Sequence, residues 1–369
     1  MFKKKEQMKF YSLEEIKSKN ATYNMIYGER SNGKSYSVLD EILKNYCKTG
    51  QQGALIRRYH EDFRGKRGAS IFAPLVQNRL VIDYTQGEWT GIFYYSGRWF
   101  LSKEDENGKI IKQEDPFCYA FALTDTEHDK STSYPNVTTI LFDEFLTRSG
   151  YLPDEFVLFM NTLSTIIRYR DDVKIYMLGN TVNRYCPYFD EMGLKHIRNQ
   201  QKGTIDVYSY GESGLTVAVE YADSPVKKKP SDKYFAFDNP KLEMITGGAW
   251  EIALYPHCPT KFKPKDIKFI FFIKFEETLL QCEVVMFDKY NFIFIHEKTT
   301  ELKHPEKDLI FDTDYNPLYN YGRKLTTPAN KIQKKIAEYF VNDKVFYQDN
   351  VVGEVVRNYF EWSKTDRLL

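Results

Sequence analysis

The chain has 369 residues and a formal net charge of only +1, and its length corresponds to about two or three domains. A mean hydropathy of −0.54, with no apolar run of about 18 residues, excludes a membrane-spanning helix, so no membrane partner is expected. Five scattered cysteines without a C-x-x-C pair exclude a disulfide framework and a zinc pattern. Because the Lys-rich first ten residues lack the apolar core of a signal peptide, we expect a protein of the reducing cytoplasm.

The first functional motif of the chain is a phosphate-binding loop. Residues 28–35, Gly-Glu-Arg-Ser-Asn-Gly-Lys-Ser, fit the pattern G-x-x-x-x-G-K-[ST]. A β-prone run (22–27) precedes the loop and apolar residues at helical spacing follow it, an order that a chance Gly-rich turn does not explain. In this order backbone N–H groups face the phosphates, Lys34 reaches the β and γ oxygens, and the Ser35 hydroxyl ligates Mg²⁺. The residues predicted to bind ATP are Gly28, Arg30, Ser31, Asn32, Gly33, Lys34 and Ser35.

A second buried strand, at residues 54–56, ends in two arginines, Arg57 and Arg58. They are interpreted either as a solvated strand end or as groups that approach phosphate or a neighbouring subunit. Residues 80–123 then hold several β-prone segments around Ser-Gly and Asn-Gly turns. We expect this stretch to form a β insertion at the edge of the nucleotide-binding sheet.

The second functional motif is the apolar run 137–142, which is followed directly by Asp143 and Glu144. In this Walker B arrangement Asp143 is predicted to hold Mg²⁺ together with Ser35, and Glu144 to polarise the attacking water. An isolated run of this kind also fits a strand that ends in two solvated acids, but the phosphate loop upstream favours Walker B. The adjacent glutamate is typical of ATPases with an additional strand between the Walker A and Walker B strands, the ASCE class.

A helix is predicted from about residue 151, with an early proline and acids in its first turn, and it ends in Arg168-Tyr169-Arg170. The buried strand 173–178 follows and leads to Asn180. A side-chain amide at the tip of the strand after Walker B can sense the γ-phosphate or orient water, so Asn180 is a catalytic candidate. The alternative is an ordinary turn asparagine.

Taken together, these residues resemble the DNA-packaging ATPases of short-tailed phages with protein-primed genomes, which are ring translocases of the ASCE class. The resemblance rests on both Walker motifs, the Tyr-Pro-Asn-Val segment at 134–137, the pair Arg168 and Arg170, and Asn180 followed by Pro-Tyr-Phe at 187–189. Specific motifs cover residues 20–225, and the remainder is similar only in general layout.

The resemblance implies that Arg168 acts in trans, as an arginine that completes the neighbouring subunit's site. Lys130 is a weaker second candidate, and a trans role of Arg170 stays open. The alternative for Arg168 is an ion pair with Asp171 or Asp172, or a cap of the helix C-terminus.

The C-terminal part is predicted to be a separate domain. The segment 224–231, Ser-Pro-Val-Lys-Lys-Lys-Pro-Ser, is typical of a linker, either a solvated joint or a contact to DNA phosphates. Three β-prone runs (268–276, 279–287, 291–299) precede two helices, one capped by Thr327 and one over 351–362, which suits the RNase H-like nuclease domain of large terminases. Such a nuclease needs clustered carboxylates for two Mg²⁺ ions, and the central strand carries Lys274 instead. The carboxylates that remain nearby are Glu276, Glu277, Asp312 and Asp314.

We therefore expect an α/β protein with an N-terminal P-loop ASCE ATPase domain whose Walker A and B motifs lie on a mainly parallel sheet (1–223). A linker (224–250) and a vestigial, non-cleaving RNase H-like domain (251–369) follow. The predicted function is ATP-driven translocation of double-stranded DNA into a viral procapsid, in the host cytoplasm, by a homo-oligomeric ring on the portal. A pentamer is favoured by resemblance alone, and a packaging RNA is left open. The alternatives are a large terminase with an active nuclease and a non-motor nucleotide-binding protein.

Overall fold

The structure is a computed structural model that describes residues 11–30, 32–125, 132–147, 150–180, 185–223 and 255–365. The chain divides into two compact units, Met1–Glu251 and Ile252–Leu369. The predicted linker, residues 224–250, lies outside the described residues. No helix within the described ranges is long and apolar enough to cross a membrane.

The first unit is organised around a ten-stranded sheet that is mostly parallel. Its strands are β1 (Tyr23–Gly28), β2 (Gln52–Arg57), β3 (Gly91–Tyr95), β4 (Arg98–Glu104), β5 (Ile110–Lys112), β6 (Cys118–Ala122), β7 (Val137–Asp143), β8 (Lys174–Asn180), β9 (Thr204–Tyr210) and β10 (Leu215–Ala222). They lie in the order β3-β4-β6-β2-β7-β8-β1-β10-β9, with β5 paired to β4. The run from β6 to β10 in this order is parallel throughout. The mixed α/β class with a mainly parallel sheet is therefore confirmed.

Helices cover both faces of this sheet. They are α1 (Glu14–Ser18), α2 (Lys34–Thr49), α3 (Lys66–Ser70), α4 (Ala73–Gln77), α5 (Leu80–Tyr84), α6 (Glu155–Ile167) and α7 (Pro187–Glu191). Every residue of β1 is buried, as expected of a parallel strand with helices on both faces. Two apolar clusters form the core, one with the buried side of α6 and the other with that of α2. The central strand ends are thereby fixed relative to one another.

The predicted β insertion is only partly correct. Strands β3, β4 and β5 form an antiparallel addition at one edge of the sheet, as expected. Residues 80–84 are helical, however, and form α5, the last of the three short helices α3 to α5 that precede the insertion. Each of these helices buries a residue, Gly68, Leu75 and Val81 respectively, and five residues are too few to show helical periodicity in the sequence.

In the second unit, the described residues 255–365 form a six-stranded sheet and two α-helices. The elements are β11 (Ile267–Phe275), β12 (Thr278–Phe287), β13 (Tyr290–Glu297), β14 (Leu309–Asp312), β15 (Tyr321–Gly322), α8 (Lys331–Val341), β16 (Val345–Tyr347) and α9 (Asn350–Thr365). The order is β15-β14-β11-β12-β13-β16. The three long strands are antiparallel, while β14 is parallel to β11 and β16 to β13.

The predicted start of α8 is wrong. The helix begins at Lys331, and its cap is Asn330, whose side chain accepts from the Gln333 N–H at 2.9 Å. Thr327 therefore does not cap it. Both residues suit the capping position, and the amide of Asn330 satisfies a first-turn N–H that has no partner within the helix.

Candidate nucleotide site

The candidate site lies where the parallel strands of the first unit end. β8 lies between β1 and β7, which is the additional strand that the adjacent acids of the Walker B motif predict. Gly28 at the end of β1 pairs with Asn180 at the end of β8, and Asp143 ends β7 one strand further. Parallel strands bring their carboxyl ends to one edge, and ligands bind in the crevice there. Gly28, Asp143 and Asn180, which are far apart in the sequence, are thus brought to one edge of the sheet.

Two glycines give the phosphate loop its shape. Gly33 directly precedes α2 with φ of 96°, a left-handed conformation that favours glycine. At Gly28 a Cβ atom would lie 2.7 Å from the Ala222 carbonyl oxygen of β10, so the backbone there tolerates no side chain. Arg30 is exposed on the loop, and Ser31 lies outside the described residues. The helix N-terminus and the close strand approach are those that a phosphate-binding loop requires.

Lys34 is buried at the base of the loop, with only 5% of its surface exposed. Its ammonium donates to the Glu29 carbonyl at 2.6 Å and to the Asn32 side-chain oxygen at 3.2 Å. Burial lowers the pKa of Lys34 to about 8, although the nearby Asp143 carboxylate opposes this shift. A buried cation held mainly by neutral oxygens is prepared to bind an anion, because an anion would offset its desolvation.

The two predicted Mg²⁺ ligands lie side by side. The Ser35 hydroxyl donates to Asp143 Oδ1 at 2.9 Å, and Arg57 Nη2 contacts Asp143 Oδ2 at 2.7 Å. Hydroxyl and carboxylate oxygens are the ligands that Mg²⁺ prefers, so the residues present fit this ion. Arg57 supplies a positive charge to the same carboxylate. The strand-end arginine therefore belongs to the site and is not simply solvated.

Arg58, the next residue, holds the segment that follows β7. Its guanidinium forms a buried ion pair with Glu155 at 2.8 Å and donates to the backbone oxygens of Glu144 and Phe145 at 2.5 Å each. Glu155 also accepts from the Tyr188 hydroxyl at 2.8 Å. The sequence indicated an arginine pair at this strand end, but it did not indicate which acid each one binds.

Glu144 itself is exposed and adopts φ of 64°. A non-glycine residue with left-handed backbone is uncommon and often lies at functional sites. Glu144 directly follows Asp143, the last residue of β7. Arg58 fixes the carbonyl of this residue, so the catalytic candidate is supported from its backbone.

Arg168 lies away from this edge. Helix α6 runs from the carboxyl end of β7 back towards the start of β8, and Arg168 follows it with φ of 53°. The residue is exposed, and its Nη2 donates to the Thr132 carbonyl at 2.9 Å. The structure therefore does not bring Arg168 to the phosphate loop of its own chain. Lys130, the second trans candidate, lies outside the described residues.

Arg170 has a different environment. Its guanidinium donates to the backbone oxygens of Pro135 and Val137 at 3.0 and 2.6 Å, and it contacts Asp172 at 3.4 Å. These bonds tie the end of α6 to the chain that enters β7. A structural role accounts for Arg170, and Asp172, an alternative partner for Arg168, contacts Arg170 instead.

Three further residues, Tyr11, Ser37 and Glu220, support the phosphate loop and were missed in the sequence. The Tyr11 N–H donates to the Asn32 carbonyl at 3.0 Å, and its hydroxyl donates to the buried Glu220 at 2.5 Å. The Ser37 hydroxyl in turn donates to the Tyr11 carbonyl at 2.6 Å. Burial raises the pKa of Glu220 to about 7, and Lys34 opposes this shift. In the sequence, the indication of this support was Glu220, an acidic residue inside the apolar strand β10.

Comparison with known proteins gives three informative matches. The DNA packaging protein of Bacillus phage B103 is 32% identical over 174 residues, which are 46% of this chain and 48% of that protein. The bacteriophage Phi-29 viral genome packaging motor assembly matches with a TM-score of 0.53 at 21% identity, covering 97% of this chain and 99% of that chain. The Phi-28 gp11 DNA packaging motor matches with a TM-score of 0.53 at 17% identity, covering 98% and 100%.

These matches differ in what they establish. The chain spans about half the length of the curated relatives it matches, and the two solved structures establish similarity of fold. The family model for the Podovirus DNA encapsidation protein (Gp16) matches residues 5–209, which include both Walker motifs and Arg168. Since this match extends over more than half of the sequence, the chain belongs to the Podovirus DNA encapsidation protein (Gp16) family.

Proposed function

We propose that this chain is an ATPase that drives double-stranded DNA into a viral procapsid. The observation that carries the proposal is the 2.9 Å contact between Ser35 and Asp143, with Glu144 exposed beside it. Residues from Walker A and Walker B, 108 positions apart, thus form one site at a sheet edge. Membership of a DNA encapsidation family supports DNA as the moving substrate.

Each residue at the edge has a chemical role in this proposal. The loop N–H groups and Lys34 bind the β and γ phosphates, and Ser35 with Asp143 holds Mg²⁺, which supplies positive charge at the phosphate oxygens. Glu144 polarises the attacking water, and Asn180 orients that water or senses the γ-phosphate. Arg57 orients Asp143 and neutralises part of its charge.

The proposed assembly is a homo-oligomeric ring in which Arg168 serves the neighbouring subunit. Two observations support this role: Arg168 is exposed, and α6 carries it to the edge of the sheet opposite its own phosphate loop. Arg170 is the matched comparison, because its bonds to the entry of β7 suit a structural residue. A pentamer, attachment to the portal and activity in the host cytoplasm at the procapsid are proposed with it, and a packaging RNA stays an open partner.

The second unit is proposed to be a vestigial RNase H-like domain that docks on nucleic acid or on another part of the motor. Its three antiparallel strands, extended by β14 parallel to β11, support this assignment. Exposed lysines before β11 and at its start offer charge for phosphates, whose recognition is independent of sequence. These lysines are Lys261, Lys263, Lys265 and Lys268.

ATP turnover with and without duplex DNA tests the activity. Lys34→Ala should abolish ATP binding because the phosphates lose their buried cation, whereas Glu144→Gln should bind ATP and lose turnover. Wild-type turnover in Glu144→Gln would contradict the catalytic assignment. Slow hydrolysis that duplex DNA does not stimulate would favour the non-motor nucleotide-binding protein, and reproducible plasmid nicking that Glu276→Ala removes would favour the cutting terminase.

Mixed rings test the trans role of Arg168. Lys34→Ala subunits have a defective nucleotide pocket but keep Arg168, whereas Arg168→Ala subunits keep the pocket but lack the arginine. A mixture of the two should therefore recover DNA-stimulated hydrolysis. Arginine fingers contribute about 10³ to 10⁵ in rate, so even a small fraction of complementary interfaces is measurable. Arg170→Ala is the control. It should lose stability, and mixing it with Lys34→Ala subunits should not raise the DNA-stimulated hydrolysis above that of Arg170→Ala alone. No recovery in a mixture that still assembles would show that Arg168 is structural or acts in cis.

A further inference from the structure

A lysine and a buried aspartate face each other on neighbouring strands of the second unit. Lys274 near the end of β11 is in register with Asp312 at the end of β14. The Lys274 ammonium contacts Asp312 Oδ2 at 3.0 Å and Asp314 Oδ2 at 3.5 Å. This is the strand position at which an RNase H-like nuclease would need a metal-binding aspartate.

Asp312 needs a positive partner because it is buried, with only 6% of its surface exposed. Its Oδ1 accepts from the Asp314 N–H at 3.0 Å, and its Oδ2 accepts from the Lys274 ammonium. A buried carboxylate without a compensating charge is costly. The lysine supplies that charge from within the chain, where a nuclease of this class would use a bound cation.

The residues present do not fit a metal centre. Among the described residues, no group of three or more His, Cys, Asp or Glu side chains is placed to hold a metal ion. Mg²⁺ requires several oxygen ligands around it, and the Lys274 ammonium lies between the two carboxylates that could supply them. A fixed positive charge there both blocks and repels a divalent cation.

We propose that the Lys274 ammonium takes the place of a divalent cation between β11 and β14, so that the charge of the buried Asp312 is compensated without metal, while Asp314, whose side chain is 81% exposed, is hydrated. The inference rests on the proposed vestigial character of this unit and names the residue that causes it. It follows that one substitution should open the site. K274D removes the ammonium and places a third carboxylate beside the two that are present.

The test counts Mn²⁺ bound to the full chain without nucleotide, by electron paramagnetic resonance of the free ion. K274D should bind one more Mn²⁺ per chain than wild type, and K274D/D312N should lose this additional ion. K331D is the matched control, because it makes the same change of charge at the exposed start of α8, among the basic residues Lys334 and Lys335. It should bind no additional Mn²⁺.

If folded K274D binds no more Mn²⁺ than K331D, the proposal is overturned. Should K274D not fold, K274S replaces it, and Mn²⁺ should then raise the melting temperature of K274S but not of wild type; no such rise overturns the proposal too. The number of bound Mn²⁺ ions is measured without ATP turnover, so the role of Lys274 and the proposed ATPase function are tested independently. An active ATPase without the additional ion refutes this inference alone, and an inactive ATPase with it refutes the proposed function alone.

Discussion

Replacement of Arg58 by alanine should destabilise the first unit strongly. The Arg58 and Glu155 side chains are 7% and 0% exposed and lie 2.8 Å apart. Arg58→Ala leaves the Glu155 carboxylate buried with the Tyr188 hydroxyl and the Leu152 N–H as its remaining donors. Loss of one partner of a buried ion pair costs about 3–5 kcal/mol, and we expect a loss of that size in the free energy of unfolding.

The neighbouring arginine provides a matched control. Arg57 makes a similar ion pair at 2.7 Å, but its side chain and that of Asp143 are 22% and 12% exposed. Asp143 also keeps the Ser35 hydroxyl in Arg57→Ala, and water can replace part of the lost interaction. We therefore expect a loss of about 1 kcal/mol for this variant. Adjacent residues of one type should thus differ severalfold in their contribution to stability.

Native-state hydrogen exchange of peptides from β2 and β7 measures this difference, because it reports opening of the first unit independently of the second. Arg58→Lys adds a further comparison, since lysine keeps the charge but lacks the planar fork that reaches Glu155 and two backbone oxygens. It should recover only part of the loss. Equal losses in Arg58→Ala and Arg57→Ala would refute the argument from burial.

Two further predictions follow from the phosphate loop. Gly28→Ala should lose about 1–3 kcal/mol of stability, together with ATP binding, because its Cβ would lie 2.7 Å from the Ala222 carbonyl oxygen. Gly50→Ala, with φ of 75° and open space around the new Cβ, should keep ATP binding. Equal ATP binding in both variants would contradict the prediction. Burial raises the pKa of Glu220 to about 7, so the folded state binds more protons than the unfolded state between about pH 4.5 and 7. Stability should therefore fall by up to about 1.4 kcal/mol per pH unit over this range, and Glu220→Gln should flatten that slope in urea titrations; an unchanged slope would exclude Glu220 as its source.

Both Walker motifs could be predicted because each is a contiguous pattern. Residues 28–35 encode a loop that supplies its own backbone N–H groups together with the Lys34 and Ser35 side chains, and an apolar run that ends in two acids encodes a strand end. The additional strand between β1 and β7 followed from one residue, Glu144, by way of the class it indicates. Such local signals require no knowledge of which strands become neighbours.

The supporting contacts could not be predicted because they join distant segments. Arg58 and Glu155 are 97 residues apart, and Tyr11 and Glu220 are 209 residues apart. In the sequence Glu155 had a sufficient explanation as an acid in the first turn of a helix, which also suits a solvated residue. Its burial depends on the packing of α6 and α7 over β7, which appears only in the folded sheet.

The register of β2 and β7 explains how the two acids of the Walker B motif are supported separately. These strands are parallel, and Ile56 pairs with Phe142, so Arg57 and Arg58 continue beside Asp143 and Glu144. Both strands end here, β2 at Arg57 and β7 at Asp143. Arg57 binds a side-chain oxygen of Asp143, whereas Arg58, one residue beyond its strand, binds the backbone of Glu144. Changes at Arg57 should therefore act mainly on metal and nucleotide affinity, and changes at Arg58 on stability and on the position of Glu144, the proposed catalytic residue.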